Sequence, residues 1–147
     1  MYDQCPLHVK SHDMTTFSSP MELQHLTTLS MGYTNAVQIY QVDMFFILQD
    51  EILHYTMSFI NDLLVKSGTT RYQSEDGSSE TILENSGIHQ FILEHLIVIN
   101  QILQHLQNVC ATVSTKKFIP TAPDTVIVGQ KCTFEGWMPH EPKVLNI

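Results

Sequence analysis

At 147 residues and 43% hydrophobic content, the chain is long enough for one globular domain whose core needs neither disulfides nor a structural metal. Fifteen Asp and Glu against seven Lys and Arg give a net charge of −8, which excludes long-range attraction to a phosphate backbone and leaves nucleic-acid binding to local features. No run reaches the ~18 uninterrupted apolar residues of a membrane span, and three cysteines without a CxxC pair (Cys5, Cys110, Cys132) fit free thiols better than a disulfide framework.

The opening Met1-Tyr2-Asp3-Gln4-Cys5-Pro6 lacks the basic and apolar regions of a secretory signal, so a soluble intracellular product with buried, inert thiols is expected. Residues 1–33 read as extended segments and loops, broken by Thr15-Thr16-Phe17-Ser18-Ser19-Pro20. A helix is expected from Asn35 to Ile52, with Val37, Tyr40, Met44, Leu48 and Ile52 on one stripe and Thr34-Asn35 available as cap. A β-hairpin follows, strands about 54–60 and 63–67, turning at Asn61-Asp62 and placing a carboxylate beside an amide at the tip of a buried hairpin. Ser67 through Ser86 is Gly- and Ser-rich and reads as a long polar loop. Ile88 to Cys110 carries Ile88, Ile92, Leu96, Ile99, Leu103, Leu106 and Cys110 at three-to-four spacing, a strong helix. Two β runs, Ala111–Ile119 and Thr125–Phe134, precede a Pro-rich end. This order is most of a β-α-β-β-α-β unit, an α+β fold in which two helices cover one face of an antiparallel sheet.

Four motifs in order carry a resemblance: Leu29-Ser30-Met31-Gly32-Tyr33-Thr34-Asn35-Ala36, Phe59-Ile60-Asn61-Asp62, Thr115-Lys116-Lys117-Phe118, and Val128-Gly129 with Pro139 through Lys143-Val144. Over nearly the whole chain they look like the reverse transcriptases of Ty3/gypsy-type long-terminal-repeat retrotransposons, and Leu7 through Phe17 is similar to a stretch of fungal elements of that type. The resemblance implies a partial reverse transcriptase domain over 1–147, with a partial polymerase palm and finger remnants in 1–119 and a primer-grip-like hairpin and tail in 120–147. It implies Mg²⁺ as cofactor, and template–primer and deoxynucleoside triphosphate as partners. By residue, Asp62 is a metal-binding catalytic carboxylate, and Asn61 stands where the family has the first Asp of the hairpin pair. Tyr2 matches the aromatic that screens the sugar 2′ position, Met31 and Gly32 face the nucleotide, Lys117 lies near the triphosphate, and Val128-Gly129 belongs to the primer grip. The alignment puts a further aspartate and the fingers upstream of Met1. Ser30 replaces a usual Pro, and Glu22 stands where Gly is common after Pro20.

An amide brings no charge to a cation, so the expectation is an inactive remnant that binds no Mg²⁺. The rival expectation is a domesticated palm that binds a protein partner or itself through uncovered apolar surface.

Each motif also has a plainer reading. Gly32 is then a turn glycine, Met31 a gap-filling methionine, Asn61-Asp62 an ordinary turn and Lys117 a solvated strand-end cation. His89, His95 and His105 share the long helix but form no i, i+4 pair, so they read as structural rather than metal-ligating.

Overall fold

The computed structural model describes residues 4–66, 68, 70–133 and 135–139. The α+β class is borne out. Two short 3₁₀ turns, Val9–Ser11 and Asp13–Thr15, lead into a two-stranded ladder of β1 (Phe17–Ser18) and β2 (Leu23–Gln24). Leu7 N–H donates to the Thr27 carbonyl and Leu29 N–H to the Cys5 carbonyl, which ties the irregular start to the segment that enters the core at Leu29.

Helix α1 (Ala36–Ile47) ends earlier than its apolar period implies. Ala36, Tyr40, Met44 and Leu48 are buried at strict i+4 spacing, whereas Val37, one residue off that line, is 43% exposed. Asn35 occupies the N-cap position without a side-chain capping bond. After Leu48 the chain turns so that the Glu51 carbonyl accepts from both Tyr55 and Thr56, and Ile52 packs on the core from outside the helix.

Strands β3 (Thr56–Phe59) and β4 (Asp62–Val65) form the expected hairpin, but the turn is Ile60-Asn61 rather than Asn61-Asp62, because Phe59 pairs with Asp62. The hairpin has one buried side, carrying Thr56 and Ser58, and its tip is open to solvent.

The expected polar loop contains structure. Strands β5 (Thr81–Ile82) and β6 (Asn85–His89) pair across a register shift, so Ile88 belongs to a strand and helix α2 begins at Gln90 and runs to Asn108. Before β5, the Tyr72 hydroxyl donates to both Glu94 carboxylate oxygens at 3.1 and 2.9 Å, strapping this segment to α2; that bond raises the Tyr72 hydroxyl above its ordinary pKa. The buried line on α2 is His95, Ile99, Ile102 and Leu106, set to one side of the expected stripe, which leaves Leu96 and Cys110 exposed.

Helix α2 closes with Cys110 N–H donating to the Gln107 carbonyl and Ala111 N–H to that of Leu106, with Cys110 at φ 56°. This paired pattern satisfies the last carbonyls in the way a C-terminal glycine usually does. Burial raises the Cys5 and Cys132 thiols above their ordinary value.

Residues 111–119 form no strand. Lys117 N–H closes a turn onto the Ser114 carbonyl, and Val113, Phe118 and Ile119 are exposed and unpaired in any ladder. The run from Thr125 is a hairpin of β7 (Asp124–Ile127) and β8 (Gln130–Thr133), to which β9 (Gly136–Pro139) adds a third strand; Phe134 lies outside the described residues.

Among the described residues the strands thus fall into four small antiparallel ladders. A hydrophobic core joins α1, α2 and the β3–β4 hairpin: Leu29, Ala36, Tyr40, Met44 and Leu48 meet Ile102 and Leu106 of α2, with Ile60, Leu63 and Val65 packed against them. His105 Nδ1 of α2 lies 3.3 Å from a carboxylate oxygen of buried Glu51, beside that core.

Candidate active site

The β3–β4 hairpin is held by a side chain that local turn preference does not reveal. Gln41, on α1, donates from Nε2 to the Ser58 carbonyl at 3.0 Å and accepts at Oε1 from Ile60 N–H at 2.6 Å. Ile60 sits at φ 54°, in the left-handed region that a two-residue turn normally gives to Gly or Asn. A β-branched residue held there costs about 1–3 kcal/mol and persists only when its surroundings over-determine it. The two Gln41 bonds and the packing of Ile60 on the core supply that constraint. Thr56 Oγ1 adds a bond to the Leu64 carbonyl at 2.8 Å across the ladder.

At this tip Asn61, the second turn residue, and Asp62 are both exposed, with Asp62 paired to Phe59 on the face that also bears Met57. Among the described residues no three His, Cys, Asp or Glu side chains converge to hold a metal ion. The hairpin offers one carboxylate and one neutral amide, a donor set that does not fit a pair of Mg²⁺ ions, which require several anionic oxygens.

Met31 and Gly32 come together elsewhere, in an open depression of about 510 Å³ whose walls also include Met14, Phe17 and Tyr33. Neither Asn61 nor Asp62 is among its walls. Gly32 has φ 95° and open space where a side chain would be, so backbone conformation rather than crowding favours glycine there. Met31 is 76% exposed and is not the loop-buried gap filler of the plainer reading. Lys117 lies on its exposed turn, not at a strand end. Tyr2 is outside the described residues.

Val128 and Gly129 are the two central residues of the β7–β8 turn, at φ 51° and 71°. Two successive left-handed residues match a type I′ turn, for which Asn-Gly is the favoured pair. The Val128 side chain is exposed, so little packing is at stake. Val128→Asn is expected to raise stability by about 1 kcal/mol, read as a higher urea midpoint; a lower midpoint contradicts this account of the turn.

The sequence matches no family model and no curated protein. The chain nevertheless has a reverse-transcriptase-like fold. Among the solved structures with this fold is the foamy viral protease-reverse transcriptase in complex with dsDNA, at a TM-score of 0.63 and 19% identity, over 97% of this chain and 25% of that one. The chain therefore spans about a quarter of the length of that structure. No helix among the described residues is long and apolar enough to cross a membrane.

Proposed function

We propose that this chain is a palm portion of a Ty3/gypsy-type retrotransposon RNA-directed DNA polymerase that no longer adds nucleotides. Four motifs in family order on a reverse-transcriptase-like fold support the ancestry: one opens α1, one is the β3–β4 hairpin tip, one precedes β7, and one turns the β7–β8 hairpin. On this reading residues 1–119 are palm with finger remnants, and 120–147 the primer-grip-like hairpin and tail.

The ancestral reaction is template-directed addition of a deoxynucleotide to a primer end, in which carboxylate-held Mg²⁺ ions neutralise charge on the attacking and leaving oxygens. When bound, the metal supplies that electrostatic stabilisation. In this chain Asp62 offers one full charge, while Asn61 offers only an amide dipole, and that substitution is the observation that carries the reading. Met31 and Gly32 would face the nucleotide, Lys117 its triphosphate, Tyr2 its sugar and Val128-Gly129 the primer, all now without the metal centre they served. The net charge of −8 also works against the template–primer. Primer extension with Mg²⁺ or Mn²⁺ is expected to give no product; template-dependent extension abolished by Asp62→Ala overturns the proposal.

A second reading, a non-catalytic palm kept for self-association, is favoured by one observation. Helix α1 is mostly apolar, with only Gln38, Gln41 and Asp43 polar, and Ile39, Val42 and Phe46 form an exposed i, i+3, i+7 line, with Val42 64% and Phe46 73% accessible. It predicts a defined oligomer by light scattering that Phe46→Glu converts to monomer. A polydisperse aggregate insensitive to Phe46→Glu favours the decayed fragment.

A further inference from the structure

The Gln41 bonds have a geometry that ordinary helix-to-sheet packing does not need. One carboxamide brackets a single turn, donating to the carbonyl two residues before Ile60 and accepting from the Ile60 N–H. Those contacts span 17 and 19 residues of sequence and join α1 to the one hairpin whose tip carries both Asn61 and Asp62. Leucine or methionine at position 41 would fill similar volume but leave the Ile60 N–H and the Ser58 carbonyl without this partner. Ile60 itself disfavours the left-handed backbone it adopts, so its own preference does not set the turn.

We propose that Gln41 is the positioning residue of this hairpin. Its carboxamide fixes Ile60 in the left-handed turn and thereby sets the direction in which position 61 and Asp62 are presented. The inference rests on the polymerase reading for what that presentation once served, but not for the clamp itself. The buried side of the hairpin, with Thr56 and Ser58, anchors the ladder, whereas Gln41 acts at its turn end, on the Ile60 N–H and the Ser58 carbonyl. Loss of the side chain should therefore free the tip and leave the base of the hairpin intact.

Amide hydrogen exchange on the full chain tests this. Two amides serve as reporters: Ile60, held by Gln41, and Lys66, which donates to the Tyr55 carbonyl at 2.9 Å at the open end of the same hairpin. In Gln41→Met, exchange at Ile60 is expected to speed up about tenfold while Lys66 changes less than about twofold. Gln41→Glu keeps an acceptor for Ile60 N–H and is expected to retain most of its protection, a rescue that volume alone does not provide. Equal acceleration at both amides, unchanged protection at Ile60, or no difference between the Met and Glu variants overturns the proposal. A second arm titrates Mn²⁺ into Asn61→Asp with and without Gln41→Met. The clamp predicts at least about fivefold weaker binding without Gln41, and equal binding contradicts it. If Asn61→Asp gains no Mn²⁺ affinity, the polymerase reading of the hairpin fails while the exchange arm still decides the clamp.

Discussion

Leu48→Ala should destabilise the chain by about 3 kcal/mol, within the 2–5 kcal/mol range of buried leucine truncations. Leu48 is 0% exposed, at the C-cap of α1, where it closes the cluster of Tyr40, Met44, Ile102 and Leu106. Truncation removes the transfer free energy of the lost methyl groups and leaves a cavity that α2 and the hairpin cannot both move to fill. For a chain of this size the loss corresponds to a melting temperature lower by about 6–12 °C. Phe46→Ala, two residues earlier on the exposed line, is the control and is expected to change stability by no more than about 0.5 kcal/mol. Equal effects at the two positions would mean that α1 does not present the face to the core described for it.

That face was legible because Tyr40, Met44 and Leu48 repeat every fourth residue, a spacing that a helix gathers on one side. Val37 entered the same expected stripe through a spacing of three, and the structure gives its place to Ala36, whose small side chain carries little hydrophobic signal. The hairpin was legible from its two apolar runs, but its turn was displaced by one residue. Local preference favours Asn-Asp at the tip, whereas the fold holds Ile60 there through Gln41, and no local rule reports a side chain 19 residues away. In 81–89 the strands are short, partly glycine and serine, and mostly exposed, so neither period nor hydrophobicity marked them. Conversely, Val113, Phe118 and Ile119 looked like strand residues, yet the polar and charged residues among them sit in a solvent-exposed turn that no ladder pairs.

The candidate site divides the same way. Asn61 and Asp62 were found as residues, and their exposed tip and the helix that clamps it became visible only in three dimensions. Met31 and Gly32 do share a concave surface, made with residues from the 3₁₀ turn and β1 that no motif spacing links to them.

The largest expected functional effect comes from adding one charge. Asn61→Asp places a second carboxylate next to Asp62, and each added anionic oxygen strengthens binding of a hard divalent cation. At the exposed tip, solvent screening limits the gain to about 1.4–2.7 kcal/mol, roughly tenfold to a hundredfold in affinity. The substitution lies outside the core, so it should leave the urea midpoint within about 0.5 kcal/mol of the parent.

The central claim proposed, that this hairpin descends from a metal-binding centre disabled at position 61, is tested most directly by Mn²⁺ titration of three versions of the 147-residue chain: the parent, Asn61→Asp, and Asn61→Asp/Asp62→Ala. The account predicts weak binding by the parent, at least about tenfold tighter binding by Asn61→Asp, and return to the parent level when Asp62 is removed. Parent binding as tight as that of Asn61→Asp, or a gain that survives Asp62→Ala, would contradict it.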